Sequence, residues 1–179
     1  MEENPQRNVV VRQERDETVQ RQIVAMLPRL RRFARSLTGN ATDADDLVQD
    51  TVERALKNIA RWEPGTRLDS WMYRIAQNLF IDGVRRRRQY KAAPVEAAEN
   101  APSVEGERAT EARLMLAKTV AAMQELPEEQ RLAVSLVLVE GFGYQEAADI
   151  LNVPIGTLTS RLARGREALA RRLHPAVET

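Results

Sequence analysis

Apolar residues recur three and four positions apart over most of this chain, which predicts helices throughout. The clearest stretch is 143–173. Tyr144, Ala147, Ala148 and Leu151 fall at i, i+3, i+4 and i+7 and make one stripe. After a break at Asn152-Val153-Pro154, Ile155, Leu158, Leu162, Leu169 and Leu173 make a second, with Gly165 small enough for a close helix crossing. Asn152 suits a helix end, and Pro154 suits a first helical turn, where its missing N–H would be unpaired anyway. A short helix, a tight turn and a longer arginine-rich helix form a helix-turn-helix, whose second helix enters the DNA major groove. At about 100° per residue, the face opposite Leu158 and Leu162 carries Thr157, Ser160, Ala163 and Arg164, with Thr159, Arg161 and Arg166 on its flanks. Small and hydroxyl residues let a helix sit deep, and arginine bonds a guanine edge or a phosphate. An amphipathic helix with a solvated basic face is the plainer reading. The excess of arginine over glutamate, and the turn before it, favour DNA.

Upstream, residues 1–17 are polar and without helical period, and read as a loose arm. A first helix covers Thr18–Leu37, with Ile23, Met26, Leu27, Leu30, Phe33 and Leu37 inward; Pro28 should kink or restart it, and Gly39 ends it. Thr42 reads as the N-cap of a second helix running to about Ile59, with Asp43, Asp45 and Asp46 in its positive first turn. Ala44, Leu47, Val48, Thr51, Val52, Ala55 and Ile59 face inward; Asp46, Asp50, Glu53 and Lys57 face outward, with Gln49 beside them. Acidic first-turn residues usually only stabilise a helix. Asp50 and Glu53 lie beyond the dipole's reach, however, and leave an acidic surface without an internal purpose.

Trp62–Arg67 is a loop with a Pro64-Gly65 turn. The helix after it, from about Asp69 to Arg88, has Leu68, Met72, Ile75 and Leu79 inward, and Phe80, Ile81 and Val84 fill much of the remainder. Burial on more than one side follows. Arg74, Asn78, Asp82 and Arg85 form a polar ridge that ends in the run Arg85–Arg88. Beside Trp62, Trp71 and Tyr73, this ridge supplies what a reader of single-stranded nucleic acid needs: bonds to base edges, stacking faces and phosphate charge. Core burial is the plainer reading of Trp71.

Residues 92–107 are rich in Ala, Pro and Glu and read as a flexible linker with a reach of ~20–24 Å, leaving the two halves as separate bodies. In the second half one helix turns Leu116, Val120 and Met123 inward and stops at Leu126-Pro127. The next, Pro127–Glu140, is apolar almost all round (Leu132, Ala133, Leu136, Val137, Val139) and is the central core helix, ended by Gly141 and Gly143. His174 lies in the frayed tail with no second ligand type beside it, and no chemistry is assigned to it.

Composition agrees with an all-α chain: 30% of residues are charged and 4% aromatic. A net charge of +1 hides segregation, since 43–53 is acidic whereas 85–91 and 161–172 are basic, so separate surfaces should meet different partners. There is no cysteine, which excludes disulfides and thiolate metal sites and fits a reducing cytosol. No apolar run reaches membrane-spanning length and the N-terminus lacks a signal-peptide core, so a cytoplasmic protein with no membrane insertion is expected.

Four motifs carry a family resemblance. They are Asp45-Asp46-Leu47-Val48-Gln49-Asp50-Thr51; Trp71-Met72-Tyr73-Arg74-Ile75-Ala76-Gln77-Asn78-Leu79 with Asp82 and Arg85; Leu126-Pro127-Glu128-Glu129-Gln130-Arg131; and Gly143-Tyr144-Gln145-Glu146-Ala147-Ala148 with Pro154-Ile155-Gly156-Thr157-Leu158-Thr159-Ser160-Arg161-Leu162. In this order and spacing the chain resembles an extracytoplasmic-function (ECF) sigma factor of bacterial RNA polymerase. The resemblance implies an all-α fold of two small helical domains, region 2 at 18–91 and region 4 at 108–179, the latter a helix-turn-helix. It implies no catalysis, no cofactor and no metal.

Asp45, Asp46, Gln49, Asp50 and Glu53 would dock on the clamp helices of core RNA polymerase, with region 4 at the flap. Arg54, Asn58, Trp62, Tyr73, Arg74, Asn78, Asp82, Arg85 and Arg86 would hold the −10 element as a single strand. A base flipped into a pocket near Arg54, Asn58 and 62–68 would repay its unstacking there. Thr157, Thr159, Ser160, Arg161, Ala163, Arg164 and Arg166 would read the duplex −35 element. Related sequences often carry a basic residue where Thr159 stands. The further implied partner is an anti-sigma factor, bound 1:1 to a chain otherwise monomeric, and the regulon would be a stress response. Two promoter elements span ~70 Å, beyond the relaxed linker, so polymerase must hold the halves apart; in the free protein they can fold together, hiding both DNA faces. Two other readings compete: a sigma-like decoy that sequesters an anti-sigma factor, which needs no arginine run, and a duplex-binding regulator, which needs no acidic helix.

Overall fold

The computed structural model describes residues 5–63, 65–91 and 111–174, with side chains over 17–63, 65–89 and 111–174. The helices are α1 (Pro5–Thr38), α2 (Ala41–Lys57), α3 (Leu68–Lys91), α4 (Glu111–Gln124), α5 (Glu128–Val134), α6 (Tyr144–Leu151) and α7 (Ile155–Leu173). A 3-10 turn, Ile59–Arg61, follows α2, and α5 widens into a π-helical turn, Ser135–Val139. There is no strand among the described residues. The linker expected at 92–107 lies outside them.

Three local expectations change. Helix α1 begins at Pro5 rather than after an arm of 17 residues, and it runs through Pro28 without restarting. Pro5 needs no N–H at a helix start, and no glycine or further proline interrupts the chain before Pro28. The cap of α2 is Asn40 and not Thr42: the Asp43 N–H donates to Asn40 Oδ1 at 2.8 Å, and Asn40 Nδ2 donates to the Asp43 carboxylate at 2.9 Å. Pro154 stands one place ahead of α7, its carbonyl accepting from the Thr157 and Leu158 N–H groups at 2.9 and 3.1 Å. The turn between α6 and α7 closes on Asn152 at φ 52°, a left-handed conformation that asparagine tolerates. The Val153 N–H reaches back to the Ala148 carbonyl at 3.1 Å.

The larger change concerns the two halves. They are not separate bodies: one continuous apolar core holds Leu30, Phe33, Leu37, Met72 and Tyr73 of the first half with Leu136, Phe142, Ala147 and Ile150 of the second. Polar bonds sew the seam. Ser36 and Ser135 share a buried hydroxyl–hydroxyl bond of 2.8 Å. Arg131 donates to the Leu37 carbonyl at 2.6 Å, so it covers the open C-terminal end of α1, and also to Gln124 Oε1 at 2.7 Å, bracing the α4–α5 turn. The motif 126–131 thus joins the halves as well as its own helices.

Three residues read as inward face water instead: Leu116 is 64% exposed, Ile155 46% and Tyr144 43%. Periodicity locates a stripe but not its edges. Here Ile150 takes the buried place in α6, and Leu158, Leu162, Gly165 and Ala168 hold α7 down.

Candidate nucleic-acid interface

Three surfaces emerge from this frame. The outer face of α2 presents Asp45, Asp46, Gln49, Asp50 and Glu53, all exposed. Gln49 Nε2 donates to Glu53 at 3.2 Å and Lys57 Nζ to the same carboxylate at 3.3 Å, and these two bonds hold the Glu53 carboxyl below its ordinary range. Asp45 faces Arg31 at 3.4 Å. Among the described residues no ion pair engages Asp46 or Asp50, which leaves two carboxylates turned to solvent.

Beside this face, α2 and α3 enclose an open groove of about 600 Å³ lined by Asp50, Glu53, Arg54, Lys57, Leu79, Asp82, Arg85, Arg86 and Gln89. Arg54, Lys57, Arg85 and Arg86 suit a phosphate backbone, while Asp50, Glu53 and Asp82 share the same groove and Leu79 is its one apolar residue. The arginine run divides its labour. Arg87 turns to Asp43 at 4.0 Å and Arg88 to Glu128 at 2.6 Å, while Arg85 and Arg86 line the groove. At the other end Asn58 Nδ2 donates to the Arg54 carbonyl at 2.8 Å. The half-buried Trp62 carries an indole N–H that is buried without an acceptor among the described residues.

The remaining ridge of α3 is partly covered by the second half. Tyr73, expected to meet DNA, is fully buried here. Its ring stands edge-on between Phe33 and Phe142, with centroids 5.0 and 4.9 Å away, and its hydroxyl donates to Glu140 Oε2 at 2.6 Å. Arg74 donates to the Asp149 carbonyl at 2.5 Å, and Gln77 to the Ile150 carbonyl at 3.4 Å. Arg67 pairs with Glu146 and with Asp69, and that bond lowers the Asp69 carboxyl. Asn78 stays exposed, its Oδ1 accepting from Gln77 at 2.8 Å, and Asp82 is exposed as well.

The third surface is the face of α7. Thr159, Ala163, Arg164 and Arg166 are exposed and Thr157 and Ser160 half-buried. Arg161 is tied down instead: its guanidinium bonds Glu129 at 2.8 Å and its side chain is only 22% exposed. The expectation that a folded-together chain hides both DNA faces is therefore corrected. Helix α7 meets α4, α5 and α6 and keeps its outer face open, whereas α3 is covered by α6 and the turn before it.

Sequence reading assigned no role to Gln77, Glu140, Phe142 and Glu146, whose partners across the two halves sit 67 or more residues away in the chain. It also passed over Lys57 and Gln89 at the groove.

Two family models match the chain, Sigma-70 region 2 over residues 23–90 and Sigma-70 region 4 over residues 116–169. A relative, the ECF RNA polymerase sigma factor EcfG of Rhodopseudomonas palustris, is 42% identical over 154 residues, covering 85% of this chain and 83% of that protein. SigW of Bacillus subtilis is 33% identical, covering 76% of this chain and 79% of that one. Among solved structures, the sigma factor RpoE bound to the anti-sigma factor NepR from Bartonella quintana superposes with a TM-score of 0.72 at 30% identity, covering 89% of this chain and 99% of that one. A two-part sigma architecture with a helix-turn-helix defines the class. The chain belongs to the ECF family of RNA polymerase sigma factors.

Proposed function

We propose that this sigma factor attaches to core RNA polymerase through the exposed acidic face of α2, with Asp46, Gln49 and Asp50 at its centre and Asp45 and Glu53 at its margin. It takes the −10 element as a single strand along the α2–α3 groove and the α3 ridge, using Arg54, Asn58, Trp62, Arg74, Asn78, Asp82, Arg85 and Arg86. Tyr73 joins that surface once the second half has moved away. It reads the −35 element as duplex with Thr157, Thr159, Ser160, Ala163 and Arg164, and Arg166 clamps a phosphate. The protein catalyses nothing itself and works in the cytoplasm, where its polymerase is.

The single observation that carries this reading is the coexistence on one chain of an open recognition helix, an acidic face with Asp46 and Asp50 outside any ion pair among the described residues, and a groove that brings Arg54, Lys57, Arg85 and Arg86 together. A duplex-only regulator has no use for the last two, and a decoy has no use for Arg85, Arg86 or Arg164. The likeness to a sigma factor solved with its anti-sigma factor supports a protein inhibitor as a further partner. Transcription in vitro with core polymerase on a genomic promoter library, with and without the chain, tests the reading. Start-site selection that depends on the chain is expected; its complete lack across the library would overturn it.

A further inference from the structure

The turn Glu140-Gly141-Phe142 has a chemistry the sigma function does not require. The Glu140 carboxylate is wholly enclosed, and a buried charge persists only if it is paired and hydrogen-bonded. All its side-chain partners come from the other half. Arg32 grips it with two bonds of 2.9 and 3.1 Å, Arg29 Nε stands 3.4 Å away, and the Tyr73 hydroxyl donates at 2.6 Å. Arg29 also donates to the Glu140 carbonyl at 3.3 Å. One residue beyond Gly141, which adopts φ +78°, Phe142 is inserted against Tyr73, with the guanidinium of Arg29 5.8 Å and that of Arg67 5.6 Å from its ring centroid.

Such a cluster fixes register more than it adds depth. When the halves part, Glu140 and the two half-exposed arginines regain water, so the ion pairs come close to breaking even. In any other docking register the carboxylate would be buried bare, which is strongly disfavoured. The closed form is thus one defined arrangement that opens at modest cost. Its masking is selective: Arg67, Tyr73, Arg74 and Gln77 are engaged, whereas Asn78, Asp82, Arg85 and Arg86 of α3 stay exposed, as do Asp46, Asp50 and Arg164.

We propose that the Glu140–Phe142 turn is an intramolecular latch that keeps single-stranded DNA off the Tyr73–Gln77 part of α3 while leaving the α2–α3 groove, the α2 acidic face and the α7 recognition face open. The inference rests on the proposed function only for the identity of the ligand that α3 is kept from. Polymerase docking and duplex binding then precede opening, and strand capture follows it.

The chain has no cysteine, so Ala60→Cys with Ala170→Cys, both exposed, gives a spin-label pair that spans the halves of the full-length protein. One short, narrow distance distribution is expected. Glu140→Gln should shift the open-to-closed ratio upward about tenfold, giving a broad, longer distribution. Arg32→Gln, made on the solvent side of α1 where folding is not at risk, should do the same. Distributions unchanged in both variants would overturn the latch. Binding to a fluorescein-labelled random single-stranded oligonucleotide pool should tighten several-fold, with about tenfold as the ceiling, in Glu140→Gln by the same shift, and binding to a random duplex pool should hardly change. Equal strand affinity in parent and variant, or equal tightening for strand and duplex, would overturn the selective masking. Promoter-directed initiation, measured separately, decides the proposed function, and its failure would leave the distance result standing.

Discussion

Gly165 of α7 lies so close to Val134 of α5 that a β-carbon on it would stand 2.7 Å from the valine Cγ2, a distance that real β-carbons essentially never show. Gln130 closes the other side, 3.4 Å away at its Cβ and at its backbone carbonyl oxygen. The recognition helix is therefore set by a contact between backbone and side chain. Gly165→Ala should cost about 1–3 kcal/mol through overpacking, read as a lower urea midpoint followed by circular dichroism. Val134→Ala in the same chain should recover part of the loss. A Gly165→Ala chain as stable as its parent would show that α5 and α7 part easily.

Arg164 is exposed on the outer face of α7 with no ion pair among the described residues. Arg164→Ala should weaken binding of the holoenzyme to duplex −35 DNA by ~1–3 kcal/mol, whereas Arg161→Ala should leave that binding less affected and cost at most about 1 kcal/mol of stability, because its partner Glu129 is largely exposed. Fluorescence anisotropy on a selected promoter separates the two.

Asp50 stands on the acidic face, free of ion pairs among the described residues, and nothing in the core depends on it. Asp50→Arg should abolish co-purification with core polymerase and leave the helical content unchanged. An undiminished pull-down would remove α2 as the docking face.

Asn78 projects from α3 into solvent. Asn78→Ala should leave duplex −35 binding intact while reducing heparin-resistant open complexes. Open complexes formed at the parental level would take Asn78 out of strand capture.

Burial, then the hydrogen bond to Glu140, push the Tyr73 hydroxyl far above its ordinary value of 10.0. The sign follows directly. Below pH 10 both folded and unfolded chains keep this proton, so Tyr73 makes stability neither rise nor fall. Above it the unfolded chain releases the proton and the folded chain does not, so stability falls by up to about 1.4 kcal/mol per pH unit. Urea midpoints taken from pH 8 to pH 11, at roughly unit steps, should decline at the alkaline end. The decline should flatten in Tyr73→Phe.

The parts legible in the sequence are those whose cause is local. Leu158 and Leu162 follow the helical period, Asn152 marks a left-handed turn, and the outward carboxylates of α2 fall on one side of a regular helix. What was not legible depends on partners distant in the chain. Nothing near Glu140 says that Arg29, Arg32 and Tyr73 will surround it, and nothing near Tyr73 says that Phe142 will cover its ring. The Ala-, Pro- and Glu-rich composition of 92–107 argues for two independent halves, yet the composition of a connecting segment does not say what the bodies at its ends do. Tyr144 and Leu116 show the complementary error. A period assigns them to a stripe, but only a neighbour can bury it.

The aromatic seam between the halves has a consequence for the lifetime of this protein in a cell. Tyr73 of the first half and Phe142 of the second shield each other only while the seam is shut. A molecule that opened away from its enzyme would carry oily rings into water, where hydrophobic surface invites clumping and proteolysis. Stray activated molecules would thereby be self-limiting, and the population able to initiate would track the number of polymerases ready to shelter it.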